Sequence, residues 1–373
     1  MKAAVMEGRG NQALKSLLKL LLEKGIVSAV LVSHPTPTGD SYPYILTSDP
    51  KEVEGSCPIA PIITQQGARV VSKLTKKGAV RKSTAVVLRP CEVRGVIELA
   101  KIKQVNLENL LIIGYDCPGV YPLATFTEGT PEEMQKEHEA SYNNFSFNSP
   151  RHACQICLHP TATSAHLEFG ILGAPEGKSL VIPRSEKVAE VLEQAGLRFD
   201  AELSEREKAV AEVTESRKTA RESLFTEFAP TVSGDENLLK TLSACINCRN
   251  CMRVCPICFC RECFFQSDAV KVDPENYLMR AERKGGLRFM PDTLLFHLGR
   301  MNHMATSCLA CGVCEDACPA MVPVGRMFAL AGERVQEVFQ YTPGVSLEDP
   351  LPYLEYQEEE FHQWEKPYVE HPE

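Results

Sequence analysis

The chain has 373 residues, 44 % hydrophobic and 24 % charged, with a formal net charge of −9 at pH 7. That length predicts two or three domains with real cores, and the acidic balance argues against a nucleic-acid partner, whose phosphates call for basic patches. Sixteen cysteines, no run of about eighteen apolar residues and no secretory signal point to metal clusters in a reducing, cytoplasmic setting without a transmembrane segment.

Residues 1–200 read as an α/β domain with a mostly parallel sheet. Leu14, Leu17, Leu18, Leu21 and Leu22 recur at helical spacing, Gly25 stops that helix, and Ile26 to Val32 reads as a strand. Gly8-Arg9-Gly10-Asn11 precedes the helix, and a helix N-terminus suits a phosphate. The same two-glycine turn also serves many chains as a turn and nothing more.

Two further strands are predicted at Thr84–Leu88 and Leu110–Ile113. Cys91 follows the first and Cys117 the second, and sites in open α/β sheets gather where strands end. A lone cysteine is usually inert core, but two placed alike are better explained as ligands. Residues 129–153 are polar and read as an exposed loop or lid. Cys154 and Cys157 follow in a C-x2-C, which alone suits zinc, a redox pair or half a cluster. With Cys91 and Cys117 they make four thiolates, a full set for a [4Fe–4S] cluster.

These residues carry a resemblance. The glycine loop and leucine helix of 8–27, Arg89-Pro90-Cys91-Glu92-Val93-Arg94, Ile113-Gly114-Tyr115-Asp116-Cys117-Pro118-Gly119 and Cys154-x2-Cys157 resemble the β subunits of coenzyme F420-reducing hydrogenases and their formate dehydrogenase relatives. The resemblance covers about half the chain. It implies FAD with its phosphates near Gly8, Arg9, Gly10 and Asn11, and a proximal cluster on Cys91, Cys117, Cys154 and Cys157. It also implies electron exchange between a two-electron partner and a catalytic subunit. This chain has Gly-Arg-Gly-Asn where the family often has a Gly-Gly pair.

Residues 201–235 are charged, with Leu203, Val210, Val213 and Leu224 at helical spacing, broken at Pro230 to Gly234. They read as a spacer helix whose Arg206, Arg217, Lys218 and Arg221 form a solvated face.

Residues 236–338 hold two runs, Cys245-x2-Cys248-x2-Cys251-x3-Cys255-Pro256 and Cys308-x2-Cys311-x2-Cys314-x3-Cys318-Pro319. This spacing holds [4Fe–4S] clusters, with each fourth cysteine ligating the cluster of the other run. One set is then Cys245, Cys248, Cys251 and Cys318, and the other Cys308, Cys311, Cys314 and Cys255. Zinc also takes C-x2-C pairs, but has no use for a third cysteine two residues on, twice. The long gap 256–307 contains a helical pattern over Pro291–Met304, and another follows over Val324–Val338. An α-helical ferredoxin-like domain is therefore expected, resembling those of succinate dehydrogenase iron–sulfur subunits and heterodisulfide reductase small subunits.

Cys258, Cys260 and Cys263 trail the first run as candidate ligands or as thiols beside its cluster, and Cys57 is the only other cysteine unassigned. Three clusters are expected, and a fourth is arithmetically open. Cys57 lies in a turn that is an alternative neighbour of the flavin. His297 and His303 read as packing or tuning residues. Arg280, Arg283, Lys284 and Arg288 read as a solvated basic face. Residues 339–373 are acidic and aromatic, through Tyr353, Tyr356, Phe361, Trp364 and Tyr368, and read as an extended arm laid on a partner or on the chain itself.

The expected function is an iron–sulfur flavoprotein subunit of a multi-subunit oxidoreductase. Electrons pass through FAD and [4Fe–4S] clusters between a deazaflavin, NAD(P)H or ferredoxin and catalytic or electron-accepting subunits. The rival is a flavin-free electron wire.

Overall fold

The computed structural model describes residues 2–270, 273–286 and 292–355. Seven strands form one sheet: β1 Ala4–Glu7, β2 Ala29–Ser33, β3 Tyr44–Thr47, β4 Thr84–Leu88, β5 Leu110–Tyr115, β6 Leu167–Gly170 and β7 Lys178–Pro183. Their order is β1-β7-β6-β5-β4-β2-β3. β2, β4, β5 and β6 run parallel, whereas β3, β7 and β1 join antiparallel. The expectation of a mostly parallel sheet therefore holds, with β3, β7 and β1 as the antiparallel additions. β3 and β7 return beside their predecessors through short connections, which a parallel pair cannot use.

The centre is apolar because helices cover both of its faces. On one side the helix Asn11–Glu23 lays Leu14, Leu17, Leu18 and Leu21 onto Val32, Val87, Ile113 and Phe169. On the other, the helices Gly67–Leu74 and Pro90–Lys101 cover Val86, Leu88 and Ile112. That second core does not stop at residue 200. It continues through Phe296, Met304, Leu309, Met327 and Phe328 of the cysteine-rich region.

From Ser204 onward the described residues contain helices and no strand. The helices Thr293–Met304 and Val324–Val338 match the predicted patterns. No helix among the described residues is long and apolar enough to cross a membrane.

Two segments differ from their sequence reading. Residues 129–153 are not simply an exposed loop: the helix Pro131–Ala140 turns His138 inward, and Ser141, Tyr142 and Phe145 just after it are buried too. The helix Ser204–Val232 runs through Pro230 and buries Arg206, Arg217, Phe225 and Phe228, so those arginines are not a solvated face. The tail residues Tyr356, Phe361, Trp364 and Tyr368, and Arg288 of the basic group, lie outside the described residues; Tyr353 is exposed.

Candidate metal centres

The sheet delivers Cys91 and Cys117 to one place. β4 ends at Leu88, and Arg89-Pro90 opens the next helix with Cys91 in its first turn. Pro at the first helical position costs nothing there, because its missing N–H would have no helical partner. Glu92 fixes the turn by accepting from the Arg89 N–H at 3.0 Å, the Gly67 N–H at 2.8 Å and the Tyr44 hydroxyl at 2.8 Å. β5 ends at Tyr115, and the Cys117 N–H donates to the Pro160 carbonyl at 2.8 Å. Cys154 sits on the short helix His152–Gln155, and Cys157 follows it. Cys91, Cys117, Cys154 and Cys157 line one cavity, together with Arg89 and Arg217.

Burial pushes the Cys91 and Cys154 thiols up, and that of Cys117 up to about 12. A coordinated metal reverses that for Cys91, Cys117 and Cys154, because it deprotonates its thiol ligands. The donor set therefore fits an iron–sulfur cluster.

The two later runs fold alike. Asn247 and Ala310, each just before the second cysteine, are left-handed, and so are Arg249 and Gly312 just after it. A short helix follows each, Asn250–Val254 and Val313–Asp316. The repeated turns wrap each loop around its own thiols. Cys255 leaves the first run and lines a cavity with Cys308, Cys311 and Cys314. Reciprocally, Cys318 is among the charges felt by Cys245 and Cys251, beside Cys248. The structure thus brings together both crossed sets expected from the spacing. Among the described residues no group of three His, Cys, Asp or Glu side chains is arranged to hold a single metal ion.

The three sets form a series. Cys311 of the middle set also lines the cavity of the first and lies within electrostatic reach of Cys91. Gly312 makes this approach feasible: a Cβ there would stand 2.6 Å from Cβ of Ala153, and its φ of +71° is one that glycine adopts without strain. Arg151 ties the two loops, donating to the Cys311 carbonyl at 3.1 Å and pairing with Asp316.

The glycine loop lies elsewhere on the sheet. Gly8 to Asn11 connect β1 to the first helix, as the sequence implied. Asn11 is buried: its Oδ1 accepts from the Ile59 N–H at 2.7 Å, and its amide donates to Glu139 and the Tyr142 hydroxyl, both at 3.2 Å. Arg9 donates to the Tyr142 carbonyl at 2.8 Å. The Tyr142 ring covers Gly10 so closely that an added Cβ would stand 2.2 Å from it. Arg9 and Asn11 are thus held by protein groups, and as arranged the loop offers no open cradle for a phosphate. Cys57 belongs here, 3.5 Å from the Asn11 amide, with Tyr42, Ala60 and Ile62 around it.

Cys57 thus packs in a different hydrophobic cluster from Cys258 and Cys263. Cys258 lies beside Cys255 and 3.6 Å from the Met304 sulfur. Cys263 is 3.8 Å from the Met252 sulfur, and Cys260 is exposed on a cleft that Cys258 also lines. His297 Nε2 is 3.3 Å from Cys245 Sγ, so it contacts a thiol as well as packing.

Sequence reasoning missed the buried arginines. Arg206 makes a two-point pair with Asp116 at 2.5 and 2.7 Å and also pairs with Glu168. Arg217 donates to the Pro118 carbonyl at 3.0 Å, and Arg221 pairs with Glu333 at 2.6 Å. The signal was present: positions 206, 217 and 221 fall on one face of a helix.

Comparison with known proteins agrees with this arrangement. Residues 134–209 match the family described as the C-terminal part of the coenzyme F420 hydrogenase/dehydrogenase β subunit, and residues 241–322 match the 4Fe-4S dicluster domain. The F420-dependent formate dehydrogenase subunit beta of Methanocaldococcus jannaschii is 31 % identical over 371 residues, covering 89 % of this chain and 91 % of that one. F420-dependent formate dehydrogenase 1 subunit beta of Methanococcus maripaludis is 29 % identical, covering 93 % and 94 %. A chain from the F420-reducing [NiFe] hydrogenase complex of Methanosarcina barkeri overlays 60 % of this chain and 90 % of its own. The TM-score is 0.44 at 11 % identity, too low to argue from.

Proposed function

The chain belongs to the coenzyme F420 hydrogenase/dehydrogenase β-subunit family, an oxidoreductase family, and from that premise we propose that it is a three-cluster electron relay in a multi-subunit, cytoplasmic enzyme. A [4Fe–4S] cluster takes up and gives up one electron at a time when bound. The first set, Cys91, Cys117, Cys154 and Cys157, stands toward the α/β half. Cys255, Cys308, Cys311 and Cys314 make the middle set, and Cys245, Cys248, Cys251 and Cys318 the distal one. The observation that carries this reading is Cys311, which reaches both the first cavity and the middle one.

The chain's residues hold and shield these sites. Arg217 and Arg151 tie down the loops around the first set, and Phe328 walls the middle one. In this reading residues 1–200 are the entry domain, 201–235 the connecting helix and 236–338 a helical ferredoxin module, while the described tail lies back on the chain itself, the Tyr341 hydroxyl and the Gly344 N–H both donating to Glu98. The curated relatives are named for F420 and formate, so we take a deazaflavin as the two-electron partner and a formate-oxidising subunit as the other.

FAD on Gly8 to Asn11, which the family resemblance implies, would need Tyr142 to leave Gly10. The covered loop is the observation that favours the second reading, a flavin-free wire. Iron, acid-labile sulfide and acid-released flavin per chain test both. About twelve irons supports three clusters, about sixteen adds a fourth near Cys258, Cys260 and Cys263, and about eight refutes the first set. Flavin in the supernatant supports the first reading; none from fully metallated protein leaves the wire.

A further inference from the structure

Arg300 lies on the inner face of the helix Thr293–Met304 and is 2 % exposed. Its Nη2 donates to the Cys251 carbonyl at 3.0 Å, and its guanidinium rests over the Phe328 ring, 4.5 Å from the centroid. Its Nε and Nη1 are buried without a hydrogen-bond partner, and no carboxylate among the described residues pairs with it. A buried cation left in this state is strongly unfavourable, and so is each unmade hydrogen bond. Something anionic must answer it.

The surroundings say what. Arg300 lines the cavity of Cys255, Cys308, Cys311 and Cys314, while its one carbonyl partner belongs to Cys251 of the distal set. Cys251, and Cys255 of that cavity, belong to the first run, and Cys308, Cys311 and Cys314 to the second, so the guanidinium stands against cysteines of both runs.

We propose that Arg300 is the shared counter-charge of the middle and distal clusters and sets both of their reduction potentials. Its Nε–H and Nη1–H remain as donors for cluster sulfur, with the Cys258 thiol also beside the guanidinium. A cluster on four thiolates is anionic and gains one more negative charge on reduction. A fixed guanidinium beside it therefore favours the reduced form and raises the potential. Because the charge stands between two sites, removing it lowers both together. Arg300 acts through the clusters and is a positioning and tuning residue, not a catalytic one. This proposal rests on the relay reading above.

The test is a redox titration followed by electron paramagnetic resonance on the full chain with its metal. The signals are assigned beforehand with Cys117→Ser, Cys311→Ser and Cys248→Ser. In Arg300→Gln the reduction equilibria of the middle and distal signals should each fall about tenfold or more, which is ~59 mV for one electron. The first-set signal should stay in place, and Arg300→Lys should recover most of the shift. Potentials unchanged at full iron content would overturn the proposal, as would an equal shift of all three signals. If Arg300→Gln loses iron, retention by Arg300→Lys supports a charge requirement, and loss in both variants marks Arg300 as packing and sinks the idea. Failure of the relay reading itself would show separately, as missing middle and distal iron in the unmodified chain.

Discussion

The first cysteine set and the later two are assembled by opposite means. The later runs bring three thiols from one loop, and each borrows only its fourth. The first set collects Cys91 and Cys117 from the ends of adjacent parallel strands and Cys154 and Cys157 from a loop beyond them. A local motif carries its geometry in its own turns, as the matching left-handed residues at Asn247 and Ala310 show. A set gathered across a sheet exists only while the sheet, its capping residues and the covering helix are all in place. The first set should therefore be the more fragile.

The largest effects break individual sets. Cys117→Ser should remove about four irons per chain and leave the later two sets loaded, read by iron assay with spectroscopy. Cys318→Ser should abolish the same spectral component as Cys248→Ser, not the one lost in Cys311→Ser. The opposite pattern would mean that the runs do not exchange their fourth cysteine.

Next comes the support of the first set. Arg206→Met leaves Asp116, one residue from Cys117, buried without its cation, and leaves Glu168 with Arg184 alone. The expected loss is about 3–5 kcal/mol in chemical denaturation, as for other broken buried pairs. First-set iron should fall before later-set iron. Equal loss from all three would remove the contrast between the halves.

A smaller effect follows from pH. Burial holds His138 neutral, with its pKa lowered to about 4, and its Nε2–H donates to the Gly119 carbonyl at 2.9 Å. The unfolded chain takes up that proton near pH 6.5. The stabilisation is thus complete above about pH 6.5 and is lost as pH falls toward 4, by roughly 2–3 kcal/mol. His138→Gln should flatten that acid slope in urea midpoints measured between pH 7 and 4. An unchanged slope would show that the 131–145 segment does not seal the glycine loop through this residue. At the lower end, Lys208→Ala breaks a fully exposed pair with Glu205 and should leave the melting temperature where it is.

Much of this was legible in the residues. The central strands Thr84–Leu88 and Leu110–Tyr115 read as apolar runs because both their faces are covered, and the leucine helix shows its period plainly. The strands β1, β3, β6 and β7 gave little signal: their pairing is owed to neighbours elsewhere in the chain, as Ala4 owes its to Val181. The arginines of the 204–232 helix misled for a related reason. Arg in a charged stretch is normally solvated, and only the fold supplies Asp116, Glu168 and the Pro118 carbonyl as partners.

The sequence by itself determined the crossed pair of cluster loops, since a spacing of two, two and three residues is short enough to dictate its own geometry. It also placed Cys91 and Cys117 at strand ends. Only the tertiary structure decided that Cys311 joins the first cavity to the middle one, that Tyr142 covers the glycine loop, and that Arg300 is buried between two sets of thiols with no carboxylate partner among the described residues. Each of these depends on groups far apart in the chain. Their approach is set by which faces bury apolar surface, and no local spacing records that.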